Sequence, residues 1–194
     1  RVYGRPLLSF VLRLTGGDRH WAEDVVQETM IRAWRSAHQL DANATSLLPS
    51  APRRMVGPFV FFDHMGPVDF PAGVPRTVDV RPHPHIGLAT VTYLFDGEIM
   101  HRDSLGSEQP IRAGDVNWMT AGRGITHSER FERARLEGDR VHGIQAWVGL
   151  PVEHEECEPA FRHVGAADLP TFASGGLTAR LVAGEAYGAR APFP

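Results

Sequence analysis

Two histidine motifs in the middle of the chain contain the residues best suited to chemistry. His83 and His85 stand in the run Pro-His-Pro-His, and His127 and Glu129 stand further along in the run His-Ser-Glu. Residues two apart in an extended strand point the same way, so each motif can direct both side chains at one point. Three imidazoles and a carboxylate suit a divalent first-row metal.

The alternative interpretation of an isolated His-X-His motif is a pair of surface histidines beside prolines. The second paired motif favours the metal site instead. If the two strands face each other inside a barrel, all four side chains surround one ion and leave coordination positions open for water or substrate, as in catalytic sites. We therefore expect the metal ligands to be His83, His85, His127 and Glu129. Glu129 is also the expected catalytic proton acceptor.

The composition of the 194 residues excludes several protein classes. The net charge is -3, which argues against a generally basic nucleic-acid binder. All 20 basic residues are arginine, so a Schiff-base or phosphate-loop lysine is excluded. A single cysteine cannot form an internal disulfide. No stretch approaches the ~20 apolar residues of a membrane span, and we expect a cytoplasmic protein with no membrane partner.

The composition changes along the chain. Residues 1–40 have helical apolar spacing and predict two helices, whereas residues 41–54 are rich in Asp, Asn, Ser and Pro and predict a linker. Beyond them, Gly and Pro recur every few residues, as in all-β proteins. Strands are predicted at 59–62, 88–95, 99–105, 116–120 and 141–150, with a hairpin turn at Asp96-Gly97. Such short strands predict a barrel or sandwich.

The alternation over residues 88–95 also predicts which side chains share a face. Val91 and Tyr93 fall on one side of the strand, and Thr90 and Thr92 fall on the other.

Several of these motifs together resemble the pirin family of the cupin superfamily. They are the two histidine motifs, the His-Arg-Asp-Ser run at His101 and the string from Trp118 to Glu129 that contains Arg123. The resemblance spans about residues 54–190. It implies a mainly β fold, a cupin (jelly-roll-like) β-barrel preceded by the short two-helix segment. Residues 55–175 would form the N-terminal barrel, and residues 176–194 the truncated start of a second barrel.

The pirin resemblance also implies a chemistry. Family members hold iron in the N-terminal barrel, on three histidines and one glutamate that fall on the four residues predicted above. Fe(II) is the expected cofactor, with other divalent first-row metals left open. The expected activity is a quercetin 2,3-dioxygenase-like oxidation of a flavonol by O2. His64 and His101 are expected either to orient the ligands by hydrogen bonds or to be core histidines whose hydrogen bonds are satisfied, and Arg123 either steers an anionic substrate or pairs with a carboxylate.

Residues 22–35 resemble region 2 of an extracytoplasmic-function sigma factor. The resemblance implies docking on RNA polymerase, with Asp24, Gln27, Thr29 and Trp34 as the expected contacts. The promoter-reading helices do not follow this segment, so direct DNA binding is not expected. Two alternatives to the enzyme therefore stay open: a redox-sensitive transcriptional co-regulator, and a non-functional fusion fragment.

Overall fold

The fold is known from a computed structural model that describes residues 45–49, 55–174 and 176–193, and these residues are mostly β-strand. In chain order the strands are β1 (Thr45–Leu48), β2 (Phe59–Phe70), β3 (Val80–His85), β4 (Leu88–Asp96), β5 (Glu98–Asp103), β6 (Glu108–Arg112), β7 (Val116–Thr120), β8 (Ile125–Arg130), β9 (Asp139–Gly149), β10 (Ala160–Val164), β11 (Thr171–Ser174), β12 (Leu177–Arg180), β13 (Glu185–Ala186) and β14 (Ala189–Arg190). The helices are α1 (Glu132–Glu137) and two 3-10 turns, Arg76–Val78 and Ala166–Asp168.

Two antiparallel sheets form the barrel. The larger has the strand order β1-β2-β9-β4-β7-β10, and the smaller has the order β3-β8-β5-β6. The sheets face each other, because Thr92 and Met119 of the larger sheet line the same cavity as Ile99 and His127 of the smaller. The mainly β, cupin-like fold is confirmed. The expected two-helix segment lies outside the described residues.

The alternation predicted for β4 is confirmed. Thr90 and Thr92 line the barrel interior. Val91 and Tyr93 point outward and pack against an apolar cluster that includes Val116 and Phe193. The interior wall at the site is therefore built from every second residue of the strand.

One strand lies inside the predicted linker. Residues 45–48 form β1, which pairs antiparallel with β2 and places Thr45 opposite His64. An edge strand offers unpaired backbone N–H and C=O groups, and a short added segment satisfies them. Burial of Leu48, which is 7% exposed, holds this segment against the barrel. Turn-forming residues around a four-residue strand hide it from composition analysis.

The last described segment packs on the outer face of the larger sheet. Phe193 is 3% exposed and stacks on Trp118 with ring centroids 5.1 Å apart. Strands β11 and β12 pair with each other, so the expected boundary at 175/176 falls within one hairpin. The assignment of residues 176–194 to a second barrel stays a prediction. Within the described part of the chain, no helix has the length and apolar character needed to cross a membrane.

Candidate metal centre

Three of the four predicted ligands converge. One nitrogen from each of His83, His85 and His127 lies within 4.8 Å of the other two. The register explains this convergence, because β3 and β8 are hydrogen-bonded neighbours with His83 directly opposite His127. The expectation that the two strands face each other across the barrel was wrong. They are adjacent in one sheet, where directly opposed residues place their side chains closest.

The chemistry of these imidazoles suits a metal ion. Burial, followed by the electrostatic effect of the neighbouring His83, lowers the pKa of His85 well below its ordinary value. Burial, followed by the neighbouring histidines, does the same to the pKa of His127. Both rings therefore stay neutral near pH 7 and keep a lone pair for coordination. Their Nε2 atoms lie 3.0 Å apart.

His83 completes the cluster on its more accessible side. Its ring is half-buried, and its Nδ1 lies 2.8 Å from the backbone oxygen of Arg81. Because a carbonyl oxygen only accepts, Nδ1–H is the donor and Nε2 keeps the lone pair. A backbone hydrogen bond of this kind commonly orients metal-binding histidines.

Glu129 lies beside the histidine cluster rather than within it. It lines a cavity of about 10 Å³ together with His101 and His127. Its Oε1 accepts a hydrogen bond of 2.6 Å from Nε2 of Gln145 on β9. The carboxylate is thus held on the inner face of the barrel, in the same cavity as His127.

His101 lies directly behind His127. The two Nδ1 atoms are 3.4 Å apart, and His101 Nε2 is 2.9 Å from Oδ2 of Asp103. Burial alone would raise the pKa of Asp103, but hydrogen bonds from His101, Ser107 and Leu105 hold it below its ordinary value. Asp103 is therefore an ionised acceptor inside the protein.

Two other predicted positions lie elsewhere. Nε2 of His64 is 2.8 Å from Nε2 of His142. In the register of β2 and β9, His64 lies opposite Ile144, the neighbour of Gln145, so His64 and Gln145 belong to opposite faces of the sheet. Arg123 pairs with Glu158 at 2.7 Å, with both side chains mostly exposed, which matches the carboxylate-pair alternative. The polymerase-contact positions, Asp24, Gln27, Thr29 and Trp34, lie outside the described residues.

Three residues of the site were not found by sequence reasoning. Gln145 and Asp103 contact predicted residues, and Trp147 packs edge-on against His85 with centroids 5.0 Å apart. The Trp147 Nε1 atom is buried and has no hydrogen-bond partner among the described residues. The signal for Gln145 and Trp147 was their two-residue spacing on β9, which places both on its inner face.

Comparison with known proteins places the chain in a family. The Pirin family profile matches residues 40–148, which is more than half of the 194 residues. The chain belongs to the pirin family. The profile of Sigma-70 region 2 matches residues 1–49, so the two matches overlap over residues 40–49, a range that contains β1.

Individual relatives support this assignment. The pirin chain is 61% identical over 149 residues to a Caulobacter vibrioides protein named pirin-like protein, covering 76% of the chain and 52% of the relative. It is 47% identical over 147 residues to a Pseudomonas aeruginosa protein named putative quercetin 2,3-dioxygenase, covering 75% and 44%. A crystal structure titled quercetin 2,3-dioxygenase from Acinetobacter baumannii matches with 42% identity and a TM-score of 0.71, covering 78% and 48%. The chain spans about half the length of these relatives.

The donor set of this pirin fits a divalent metal. Neutral imidazoles are good ligands for first-row ions, and two of the three are buried where water cannot compete freely. In both His83 and His127, Nδ1 is hydrogen-bonded within the fold, which leaves Nε2 of the same ring for a metal ion. The three histidines can therefore hold such an ion, whose identity the donor set leaves open.

Proposed function

We propose that this pirin is an iron-dependent dioxygenase that acts on a flavonol such as quercetin. The observation that carries the proposal is the convergence of three imidazoles, one of which, His127, lines a cavity together with the Glu129 carboxylate. The names of the Pseudomonas and Acinetobacter proteins support this substrate class. We assign Fe(II) to the site because imidazole and carboxylate donors suit it and O2 is the co-substrate.

The protein supplies binding and proton transfer. His83, His85 and His127 would hold the ion, with Glu129 as a fourth ligand after a side-chain rotation. A bound Fe(II) would supply a Lewis acid for the substrate oxygens and an electron source for O2. Glu129 would accept the proton of the flavonol hydroxyl, a task for a carboxylate within bonding reach. Gln145, which donates to Glu129 Oε1, positions that carboxylate.

The size of the cavity decides where the substrate docks. A volume of about 10 Å³ holds about one water molecule, so a flavonol cannot enter beneath His127. The half-buried His83 is the accessible member of the cluster. We therefore place the flavonol at the barrel mouth beside His83, with only its hydroxyl directed inward.

The test is oxygen-dependent loss of flavonol absorbance. The full chain is loaded with Fe(II) anaerobically, mixed with quercetin and exposed to air, and O2 uptake is followed in parallel. We expect turnover by the wild type and by His154→Ala, whose histidine is exposed and is not part of the cluster. His127→Ala should be inactive. Equal loss of absorbance in all three samples would contradict the proposal.

A second candidate function rests on the Sigma-70 region 2 match over residues 1–49. In this function, the N-terminal segment docks the pirin barrel on RNA polymerase, and the metal state of the barrel regulates transcription. A pull-down of the full chain with the polymerase clamp fragment tests this function. We expect binding that Trp34→Ala weakens. No binding, or binding that the substitution leaves unchanged, would remove this candidate.

A further inference from the structure

We infer that Asp103, acting through His101, fixes the tautomer of His127 so that its Nε2 lone pair faces the other two histidines. Asp103 and His101 are thus positioning residues for the metal site. The inference rests on the proposed metal site but not on the identity of the substrate.

A line of hydrogen bonds links the three residues. Oδ2 of Asp103 lies 2.9 Å from Nε2 of His101, and a carboxylate can only accept, so His101 carries its proton on Nε2. With the ring proton on Nε2, the Nδ1 of His101 presents a lone pair and can accept. It lies 3.4 Å from Nδ1 of His127, which must therefore donate. With its proton on Nδ1, His127 leaves Nε2 free as a metal donor.

The surroundings hold this line rigidly. The Asp103 side chain is fully buried, and its other oxygen accepts the backbone N–H groups of Leu105 at 2.9 Å and Ser107 at 3.0 Å. The carboxylate therefore cannot turn away from His101. The His101 ring stacks on Phe161 with centroids 4.2 Å apart and an interplanar angle of 8°.

The register brings the two ends of the line together. Strand β5 pairs with β8 so that Asp103 lies opposite His127. Carboxylates commonly orient a metal-binding histidine by accepting its second N–H directly. Here the imidazole of His101 is inserted between the carboxylate and the ligand. It transmits the same orientation over a longer distance.

Asp103→Asn tests the inference most sharply. The amide oxygen of the new side chain can still accept the backbone N–H groups of Leu105 and Ser107, but its NH2 group then faces Nε2 of His101. Nε2 of His101 must then accept, so His101 donates from Nδ1 to Nδ1 of His127, and the proton of His127 moves to Nε2. Nitrogen-15 NMR of the metal-free full chain should show His127 protonated on Nδ1 in the wild type and on Nε2 in the variant. Affinity for Co(II), measured by chelator competition, should fall about 10- to 100-fold.

Asp115→Asn is the matched control. That carboxylate also accepts backbone N–H groups, from Arg112 and Ala166, and lies 3.8 Å from a histidine nitrogen, that of His163. It is not part of the metal cluster. We expect Asp115→Asn to leave both the His127 tautomer and the Co(II) affinity unchanged.

His101→Phe provides an independent route. It keeps the stacking on Phe161 and removes the hydrogen bond to His127, so Co(II) affinity should fall by a similar factor. Adding Asp103→Asn to this variant should cause no further loss, because the link is already broken.

An unchanged His127 tautomer in Asp103→Asn would overturn the inference, and so would a full additional loss of Co(II) affinity in the double variant. Wild-type protein that binds Co(II) yet leaves quercetin intact would overturn the dioxygenase proposal and leave this inference standing.

Discussion

The Nε2 atoms of His85 and His127 face each other at 3.0 Å, although the two residues are 42 positions apart in the sequence. In the register of β3 and β8, His85 lies opposite Ile125 rather than His127. The contact is therefore diagonal across the pair of strands. It brings together two buried nitrogens whose protonation affects both folding and metal binding.

The buried histidines predict a pH-dependent stability of the metal-free protein. The pKa values of His85 and His127 lie well below 6.5 in the folded state, whereas an unfolded histidine takes up a proton near pH 6.5. Below that pH the unfolded state binds more protons, so the free energy of unfolding falls as the pH falls. Each histidine should contribute a loss of roughly 1 kcal/mol between pH 7.5 and 5.5, measurable by urea unfolding.

A variant separates this effect from other titrations. His127→Gln should reduce the pH-dependent change in the free energy of unfolding by roughly 1 kcal/mol, the share of one histidine. His154→Gln should not change it, because His154 is exposed to solvent in both states. An identical pH dependence in the wild type and His127→Gln would contradict the neutral, buried state of His127.

Glu129 and Gln145 should affect turnover more than metal retention. Glu129→Gln removes the proton acceptor, so kcat for the flavonol should fall about 100-fold or more. Gln145→Leu removes the 2.6 Å hydrogen bond that holds the carboxylate and should lower kcat by a smaller factor. Metal content measured beside kcat distinguishes these effects from loss of the ion.

Gln109→Leu is the control for the glutamine substitution. Among the described residues, its amide donates a hydrogen bond to the backbone oxygen of Pro110 on β6 and none to Glu129, and kcat should be unchanged. Gln145→Leu with wild-type kcat would show that Glu129 needs no positioning by β9.

Asp79 should stabilise the part of the barrel that holds the histidine strands. Its buried carboxylate accepts the backbone N–H of Phe131 at 3.0 Å and a guanidinium N–H of Arg135 at 2.7 Å. Asp79→Ala leaves both donors without this partner and should lower the free energy of unfolding by about 3 kcal/mol. The exposed pair Asp69–Arg140 offers the comparison, where Asp69→Ala should change stability by less than about 0.5 kcal/mol. Equal effects in urea unfolding would contradict this account of Asp79.

The sequence predicted the part of the site that depends on strand periodicity. His83 and His85 share a face because alternate residues of a strand must do so, and Thr90 and Thr92 line the interior for the same reason. Periodicity contains no information on which strands are neighbours. The adjacency of β3 and β8 is a property of the sheet topology, and it could not be predicted from strand periodicity.

The supporting residues were hidden for a related reason. Asp103 and Gln145 act through contacts between strands that are distant in sequence, and neither residue belongs to a motif that predicts chemistry alone. The short β1 strand was hidden because its four residues lie among residues typical of turns. Local composition therefore predicted a linker where the edge of β2 binds a further strand.

The metal-to-protein ratio tests the central claim most directly. The full chain is loaded with Fe(II) under anaerobic conditions, desalted and measured by elemental analysis beside His83→Ala, His127→Ala and the surface control His154→Ala. We expect about one iron per chain in the wild type and the control and almost none in the two cluster variants. Equal iron content in all four proteins would contradict a metal centre at His83, His85 and His127.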